Sequence, residues 1–331
     1  MADDTRATSP ERAPGQLSPG ERIEVATLVA EVTAPTGHPA SSAAEEGRSR
    51  QWRRDLRTFA DNRLALAGLI LLVAIVLFCF VGPLIYKTDQ VSSTLLNASV
   101  APSGQYPLGT NPEGYDMLGR LMLGGQSTLE VGLAVAVLGT AFGTLWGALA
   151  GYIGGAVDTV MMRIVDMTLS IPFLFFAVLI ATLLTPSLPL IVMAITAVSW
   201  PGTARIVRAE TLSIKTRDYV VAASGFGSWH LRLVGRHVLP NSIGAIIVNA
   251  TLKVATAIIL FATLAFLGLA VPPPATSWGV TLTLGIHHLF DNYWWELWLP
   301  AAAITLTVIA ISVIGDGIYD VVSKRQTVAR E

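Results

Sequence analysis

The sequence predicts an all-α polytopic membrane protein with six transmembrane helices. The mean hydropathy is +0.58 and only 14% of the 331 residues are charged. Six apolar runs reach the length of roughly 20 residues that is needed to cross a bilayer. Lys and Arg are distributed unevenly between the segments that separate those runs. A composition of this kind excludes a soluble globular core as the main body of the chain.

The first 47 residues form a separate region by composition. They are rich in Pro, Ala, Ser and Thr, hold eight acidic residues against three arginines, and lack the apolar core of a signal peptide. We therefore predict a disordered acidic cytoplasmic tail over residues 1–47 and a transmembrane domain over 48–331. The single cysteine, Cys79, lies in an apolar run, so it predicts no disulfide framework and no cysteine metal site within the chain.

The predicted spans follow a basic cluster at residues 48–63. Their approximate bounds are 64–85, 129–151, 160–184, 188–207, 242–269 and 297–318. Gly and Ala crowd the second span, which predicts close approach to a neighbouring helix. In the third span, Pro172 predicts a kink, and Arg163 and Asp166 are spaced to pair on one face.

The distribution of basic residues predicts the orientation of these spans. The segments that would lie inside hold sixteen Lys and Arg, whereas the segments that would lie outside hold two, Lys87 and Arg120. Cytoplasmic loops carry such an excess. Both termini are therefore expected in the cytoplasm.

A basic connector, 208–241, separates the fourth and fifth spans. It resembles the "EAA" loop of ABC importer permeases, although Val221 stands where that family has glutamate and His237 where it has an aliphatic residue. In that family the loop is a cytoplasmic helix that docks on a separate ATPase. By resemblance, and by the apolar or basic character of its neighbours, the candidate coupling residues are Arg217, Tyr219, Ala222, Ala223, Phe226, Gly227, Trp229, Leu231, Arg232, Leu239 and Pro240. The alternative for the segment is an amphipathic linker that lies on the membrane surface. The alternative for Trp229 is packing under its own helix bundle or at the lipid interface.

Three further stretches are similar to the C-type permease subunit of the dipeptide, oligopeptide and nickel importers. They are PLGTNPEGYDMLGRLMLGGQSTL at 107–129, LAFLGLAVPPPATSWGVTL at 264–282 and GDGIYDVVSKR at 315–325. The resemblance covers about residues 50–325. It implies the type I ABC importer permease fold, a second homologous permease, two ABC ATPase subunits and an extracellular or periplasmic substrate-binding protein. Asp116, Arg120 and Trp278 are the candidate contacts with that binding protein.

No catalytic or metal-binding constellation is evident in the sequence. It contains no G-x-x-x-x-G-K-[ST] phosphate loop and no convincing nucleophile or acid–base group. The chain is therefore expected to hold no cofactor, with ATP-Mg on the partner subunits, and to bind no nucleic acid. The resemblance places it in the cytoplasmic membrane of a prokaryote, in contact with lipid.

One charge, Lys253, lies deep in a predicted span. Asn249, Lys253, Thr256 and Thr263 fall on one helical face and form a polar stripe in the fifth span. Because intramembrane charges are costly and usually face protein or water, we expect this stripe to line a translocation path. Lys253 would contact the substrate or its carboxylate; the alternative is a structural pair with an acid on the partner permease.

Several functions stay open at this point. The leading reading is the permease subunit of an ATP-driven importer of di- or oligopeptides. The same fold could import nickel, haem or another small solute. A self-contained secondary transporter or channel would predict inverted repeats and several intramembrane acids, and a membrane scaffold would need no polar stripe.

Overall fold

Long α-helices make up most of this computed structural model, which describes residues 57–91, 95–183, 187–217, 234–269, 272 and 274–328. The helices named here are α1 (Arg63–Phe80), α2 (Gly82–Ile85), α3 (Met117–Ile153), α4 (Gly155–Ser170), α5 (Phe173–Leu183), α6 (Leu188–Lys215), α7 (Leu239–Phe266), α8 (Trp278–Ile286) and α9 (Trp294–Val328). Across those ranges no β-strand forms, which confirms the predicted all-α class.

Five segments are long and apolar enough to cross a membrane: Arg63–Ile85, Met117–Ile153, Leu188–Lys215, Leu239–Phe266 and Trp294–Lys324. They correspond to five of the six predicted spans. The remaining prediction, 160–184, coincides with the pair α4 and α5. This segment is therefore divided, and neither helix has the length of a full span by itself.

The division of the third span occurs at Ile171, directly before Pro172. Ile171 has an extended backbone, with φ −85° and ψ 116°, and ends α4. A residue before proline is disfavoured in the helical region, because the proline ring collides with its backbone and Cβ. The predicted kink at Pro172 is therefore a complete break. At its other end, α4 is separated from α3 by Gly154, whose φ of +74° favours glycine.

The second span is longer than the sequence pattern indicates. The prediction began at residue 129, whereas α3 begins at Met117 and runs for 37 residues. At 1.5 Å per residue this is about 55 Å, well beyond the roughly 30 Å hydrocarbon core. The polar stretch before residue 129 is therefore a helical extension of the span, capped by the side chain of Asp116.

Glycines of α3 bring it into direct contact with the backbone of α6. A Cβ at Gly143 would lie 2.6 Å from the Trp200 carbonyl oxygen, and one at Gly147 would collide with the Ala204 carbonyl. These residues belong to a series at intervals of four: Gly139, Gly143, Gly147 and Gly151. Small residues at this spacing let helix backbones approach closely in lipid. The close approach predicted for the second span is confirmed.

A three-helix bundle of α3, α6 and α7 forms the centre of the described structure. Towards the N-terminal half of α3, an apolar cluster holds Val131, Val135, Ile191, Ile195, Ala257, Phe261 and Leu264. We call it the outer cluster, after its predicted side of the membrane. Towards the C-terminal end of α3, the inner cluster holds Ala148, Tyr152, Val207, Ile214, Val234 and Val238. Apolar clusters thus pack the bundle at both of its ends.

The remaining helices flank this bundle. α1 packs against α9, where a Cβ at Gly68 would lie 2.9 Å from the Ala310 carbonyl oxygen. The Asn62 side chain caps α1 and also donates to Asp320 Oδ2 at 3.0 Å. Since Asp320 lies near the end of α9, this bond joins one end of each helix.

Candidate functional site

The predicted coupling segment, 208–241, joins α6 to α7, and the structure describes both of its ends. α6 continues to Lys215, so the first turns of the segment extend the fourth span. A π-helix, Val234–Val238, leads directly into α7 at Leu239. Residues 218–233 lie outside the described residues, and with them the candidates Tyr219, Ala222, Ala223, Phe226, Gly227, Trp229, Leu231 and Arg232.

Both ends of the coupling segment are attached to the inner cluster. Leu239, the first residue of α7, packs against that cluster, and so does the end of α6 through Ile214. Lys215 Nζ donates to the Tyr152 carbonyl oxygen at 2.5 Å, which ties the end of α6 to the end of α3. The candidates Arg217 and Pro240 are exposed beside these attachments. A displacement of the segment therefore acts on packed helices at both of its ends.

A second connection between α6 and α7, the polar clasp, lies far from the coupling segment. It consists of Ser199 and Thr203 on α6 with Asn249 and Lys253 on α7. Lys253 Nζ donates to the Ser199 carbonyl oxygen at 2.6 Å, and Thr203 Oγ1 donates to Asn249 Oδ1 at 2.7 Å. On each helix the two residues are four apart, so the contacts lie about one turn from each other.

The clasp occupies the middle of the three-helix bundle, between the outer and inner clusters. Gly139 of α3 leaves the space for it, because a Cβ there would lie 3.2 Å from Ser199 Oγ and 3.4 Å from Lys253 Cδ. Thr203 is fully buried and Lys253 is 9% exposed. A buried ammonium requires a partner, and a backbone carbonyl supplies one. The charge therefore links α6 to α7 within this chain.

The predicted polar stripe of α7 divides in the structure. Asn249 and Lys253 face α6, whereas Thr256 and Thr263 donate to carbonyl oxygens of their own helix, those of Leu252 at 3.2 Å and Ile259 at 2.8 Å. That the stripe lines a translocation path stays a prediction. The sequence reasoning missed the partners of the clasp. The threonine of the fourth span, Thr203, is a signal that could have found one partner. The other partner is the backbone carbonyl of residue 199, which the sequence does not mark.

Ion pairs fix the divided third span to α6. Arg208 donates from Nε and an NH2 group to the two carboxylate oxygens of Asp158, both at 2.6 Å. Asp166 pairs with Arg205 at 2.5 Å. The prediction that Asp166 pairs with Arg163 of its own helix is therefore wrong, because α4 lies alongside α6 and brings a second arginine within reach.

Asp116 organises the polar segment that precedes α3. Its Oδ1 accepts hydrogen bonds from the backbone N–H groups of Leu118 and Gly119, which caps the helix. Its Oδ2 accepts a hydrogen bond from the Tyr86 hydroxyl at 2.6 Å. Burial, together with this bond, raises the pKa of Tyr86 to about 12, because the phenolate would face the Asp116 carboxylate.

Arg120 and Trp278 have internal partners as well. An NH1 group of Arg120 donates to the Pro274 carbonyl oxygen at 2.9 Å, and the guanidinium carbon lies 3.7 Å from the centroid of the Tyr115 ring. Trp278 Nε1 donates to the Leu121 carbonyl oxygen at 2.8 Å. These contacts join the start of α3 to the segment that leads into α8.

The expectation that Asp116, Arg120 and Trp278 contact a binding protein directly is not compatible with their burial. Their relative exposures are 4%, 3% and 1%. Asp116 is held in the interior of the outer segments by its capping hydrogen bonds, Arg120 by its cation–π contact, and Trp278 by the hydrogen bond of its indole. Their contacts in the structure fold those segments.

The polar groups assembled by the described residues join helices to one another. In this part of the chain no group of three or more His, Cys, Asp or Glu side chains could hold a metal ion. The clasp connects the helices on the two sides of the coupling segment, and the ion pairs connect α4 to α6. Five full-length apolar helices define the class of protein as a multi-pass membrane protein.

Comparison with known proteins gives the family. The family described as "Binding-protein-dependent transport system inner membrane component" matches residues 143–328, and "N-terminal TM domain of oligopeptide transport permease C" matches residues 50–102. The dipeptide transport system permease protein DppC of Bacillus subtilis is 37% identical over 269 residues, which are 81% of this chain and 83% of that protein. The oligopeptide transport system permease protein OppC of Escherichia coli K12 is 41% identical over 278 residues, 83% of this chain and 91% of that protein.

These matches extend over most of the transmembrane domain. The chain belongs to the family of binding-protein-dependent transport system inner membrane components, the membrane permeases of ABC transporters. The resemblance drawn from the motifs of the sequence is confirmed.

Proposed function

We propose that this chain is one of the two membrane subunits of an ATP-driven importer of dipeptides or oligopeptides. The observation that carries the proposal is the identity of 37–41% to permeases named for dipeptide or oligopeptide transport, over more than four fifths of the chain. The motifs at 107–129, 264–282 and 315–325, which resemble those of C-type permeases, agree with it.

The importer contains a second homologous permease, two ABC ATPase subunits and a substrate-binding protein on the outer side. ATP and Mg²⁺ bind to the ATPase subunits, since the sequence of this chain has no phosphate-binding loop. The chain lies in the cytoplasmic membrane of a prokaryote with both termini in the cytoplasm. The excess of Lys and Arg in the predicted inner segments supports this orientation.

The coupling segment 208–241 carries the movement of the ATPase subunits into the membrane. α6 and α7, which flank the segment, are joined at the inner cluster, at the polar clasp and again at the outer cluster. Ser199 and Lys215 are sixteen positions apart on α6, a distance of about 24 Å at 1.5 Å per residue. A push at the segment therefore moves α6 and α7 as one lever to the level of the clasp, and the path alternates between outward-open and inward-open states.

Co-purification in mild detergent tests the ATPase partnership. Wild-type protein should bring down a nucleotide-hydrolysing subunit. The double variant Gly227→Pro and Trp229→Asp should lose that subunit while it stays in the membrane, because it disrupts the connector. Gly202→Ala is the control, since a Cβ at that position meets nothing within 4 Å.

Uptake in proteoliposomes then tests the cargo. The assembled transporter, given its binding protein and ATP, should accumulate radiolabelled peptides of two to five residues. A wild-type preparation that brings down no ATPase would contradict the importer assignment. A transporter that hydrolyses ATP in response to its binding protein but accumulates no peptide would contradict the cargo alone.

A further inference from the structure

The turn between α8 and α9 carries exposed apolar side chains on the predicted outer side of the chain. We call residues 286–294 the outer tip. Phe290 is 96% exposed, and Ile286, Leu289 and Trp294 of the same tip are exposed as well. The tip contains no Lys or Arg. An exposed apolar cluster of this kind marks a site of contact with a membrane or with another protein.

Polar groups share the outer tip with these apolar side chains. His288 Nδ1 lies 3.0 Å from Asp291 Oδ2, and the neighbouring His287 and Asn292 are exposed. A segment with both kinds of side chain is suited to the boundary between lipid headgroups and acyl chains. At that boundary the apolar groups enter the membrane while the polar groups stay in contact with water.

The exposed face of α9 next to the tip indicates lipid as the partner. Four exposed residues fall on one face of this helix: Trp294, Trp298, Ile309 and Tyr319. They belong to the segment that is long and apolar enough to cross a membrane, Trp294–Lys324. Because this face continues along most of that segment, a soluble protein cannot cover it, whereas lipid can.

Two aromatic residues of this face indicate the depth of the tip. Trp298 and Tyr319 are 21 positions apart on α9, a rise of about 32 Å at 1.5 Å per residue. This matches the hydrocarbon core of a bilayer, which is about 30 Å thick, and Trp and Tyr are enriched at both of its boundaries. With Trp298 at the outer boundary, the tip, which ends four residues before it, lies at the level of the headgroups.

Trp295 connects the outer tip to the segment that precedes α3. Its side chain is buried, and its Nε1 donates to the Thr110 carbonyl oxygen at 3.1 Å. Its ring centroid lies 5.5 Å from that of Tyr293 in the tip. We propose that the outer tip inserts into the headgroup region of the membrane, with Phe290 as its anchor, and through Trp295 holds the segment before α3 at a fixed height relative to the lipid. The proposal depends neither on the cargo nor on the ATPase partners.

Fluorescence quenching in lipid nanodiscs tests this proposal. His287→Cys places a thiol on an exposed position of the tip and leaves its apolar residues intact, while the natural Cys79 is fully buried. In the transporter assembled with its co-purifying subunits, a maleimide dye on this thiol should be quenched more by lipids spin-labelled near the headgroup than by lipids spin-labelled at the chain end. Gly104→Cys, where a Cβ meets no atom within 4 Å, should be quenched by iodide in water and by neither lipid. Ile309→Cys, on the exposed face of α9, should respond most to the label at the chain end.

The variant Phe290→Asp tests whether this residue is the anchor. In the His287→Cys background it should abolish quenching by the lipids and raise quenching by iodide to the level seen at position 104, because a carboxylate is costly among acyl chains. Phe290→Leu should keep the quenching by lipid. Unchanged lipid quenching in Phe290→Asp overturns the proposal. The same holds if, with Phe290 in place, iodide quenches the dye at position 287 as strongly as the dye at position 104.

Other partners of the outer tip give different results in the same experiment. If the dye at position 287 becomes shielded from iodide only after the substrate-binding protein is added, the tip is a docking surface for that protein and the proposal is wrong. If neither iodide nor either lipid quenches the dye, another membrane subunit covers the tip, which also overturns the assignment to lipid. Peptide uptake in proteoliposomes remains a separate test of the proposed function.

Discussion

Replacing Lys253 with methionine tests whether the polar clasp couples α6 to α7. Methionine has a similar shape but cannot donate to the Ser199 carbonyl. The lost charge-assisted hydrogen bond contributes about 1.5–3 kcal/mol. Against this, the variant no longer places a charge inside a membrane helix, a cost of about 2.5–3.5 kcal/mol on insertion scales. These opposing effects nearly cancel, so we expect the Lys253→Met protein to insert and assemble normally.

Transport should nevertheless be impaired, because the polar clasp between α6 and α7 is weakened: it loses its charged hydrogen bond and keeps only the bond from Thr203 to Asn249. An interaction of about 2 kcal/mol can bias a conformational equilibrium by at most roughly thirtyfold. We expect peptide uptake per ATP hydrolysed to fall by about threefold to tenfold in proteoliposomes, with ATP hydrolysis retained. The measurement is the ratio of accumulated peptide to released phosphate.

Two variants serve as controls for this experiment. Lys253→Arg keeps a cationic donor and should restore most of the ratio. Thr251→Val changes a residue of the same helix whose hydroxyl donates to the Ile247 carbonyl of its own helix and takes no part in the clasp, and it should behave as wild type. A Lys253→Met transporter with the wild-type ratio would refute the lever. A variant with the wild-type ratio but weaker uptake of peptides with a free carboxylate than of amidated peptides would instead assign Lys253 to the cargo.

Three further changes follow from the contacts of the described helices. Gly147→Leu should lower the melting temperature of the purified protein, because even a Cβ there collides with the α6 backbone and overpacking costs about 1–3 kcal/mol. Asp158→Asn should destabilise by about 1 kcal/mol through loss of a bidentate but partly exposed ion pair, measured by thermal unfolding in detergent. The Tyr86 phenol, with its pKa raised to about 12, should ionise at lower pH when its carboxylate partner becomes asparagine, as followed by ultraviolet difference titration. Since the native state holds this proton more tightly than the unfolded chain, its contribution to stability is complete below pH 10 and is lost as the pH rises towards 12.

Each of these changes has a matched comparison. Gly202→Ala adds a Cβ that meets no atom within 4 Å, so an equal loss in both glycine variants would contradict the packing argument. Asp166→Asn breaks a pair whose side chains are 48% and 54% exposed, and it should change stability by less than about 0.5 kcal/mol. A Tyr86 titration that is the same with and without the carboxylate would show that the hydrogen bond does not contribute to the shift.

The sequence by itself determined the class of protein and most of its elements. Apolar runs of sufficient length require helices in a membrane, since every backbone N–H and C=O must be paired there. The glycine series of the second span determined its close contact with a neighbouring helix. Glycine has no side chain to separate two helix backbones, and this holds regardless of the rest of the fold. Short motifs identified the family, since they place particular residue types at fixed spacing.

The tertiary structure decided the partners of the polar residues. Asp166 had a suitable arginine within its own helix, and only the packing of α4 on α6 brought Arg205 closer. The sequence motifs led us to expect Asp116, Arg120 and Trp278 at the surface. The fold buries them, because the outer segments turn back onto the start of α3. Lys253 shows the same limit: periodicity places it on a face of α7, but which helix covers that face depends on contacts distant in sequence.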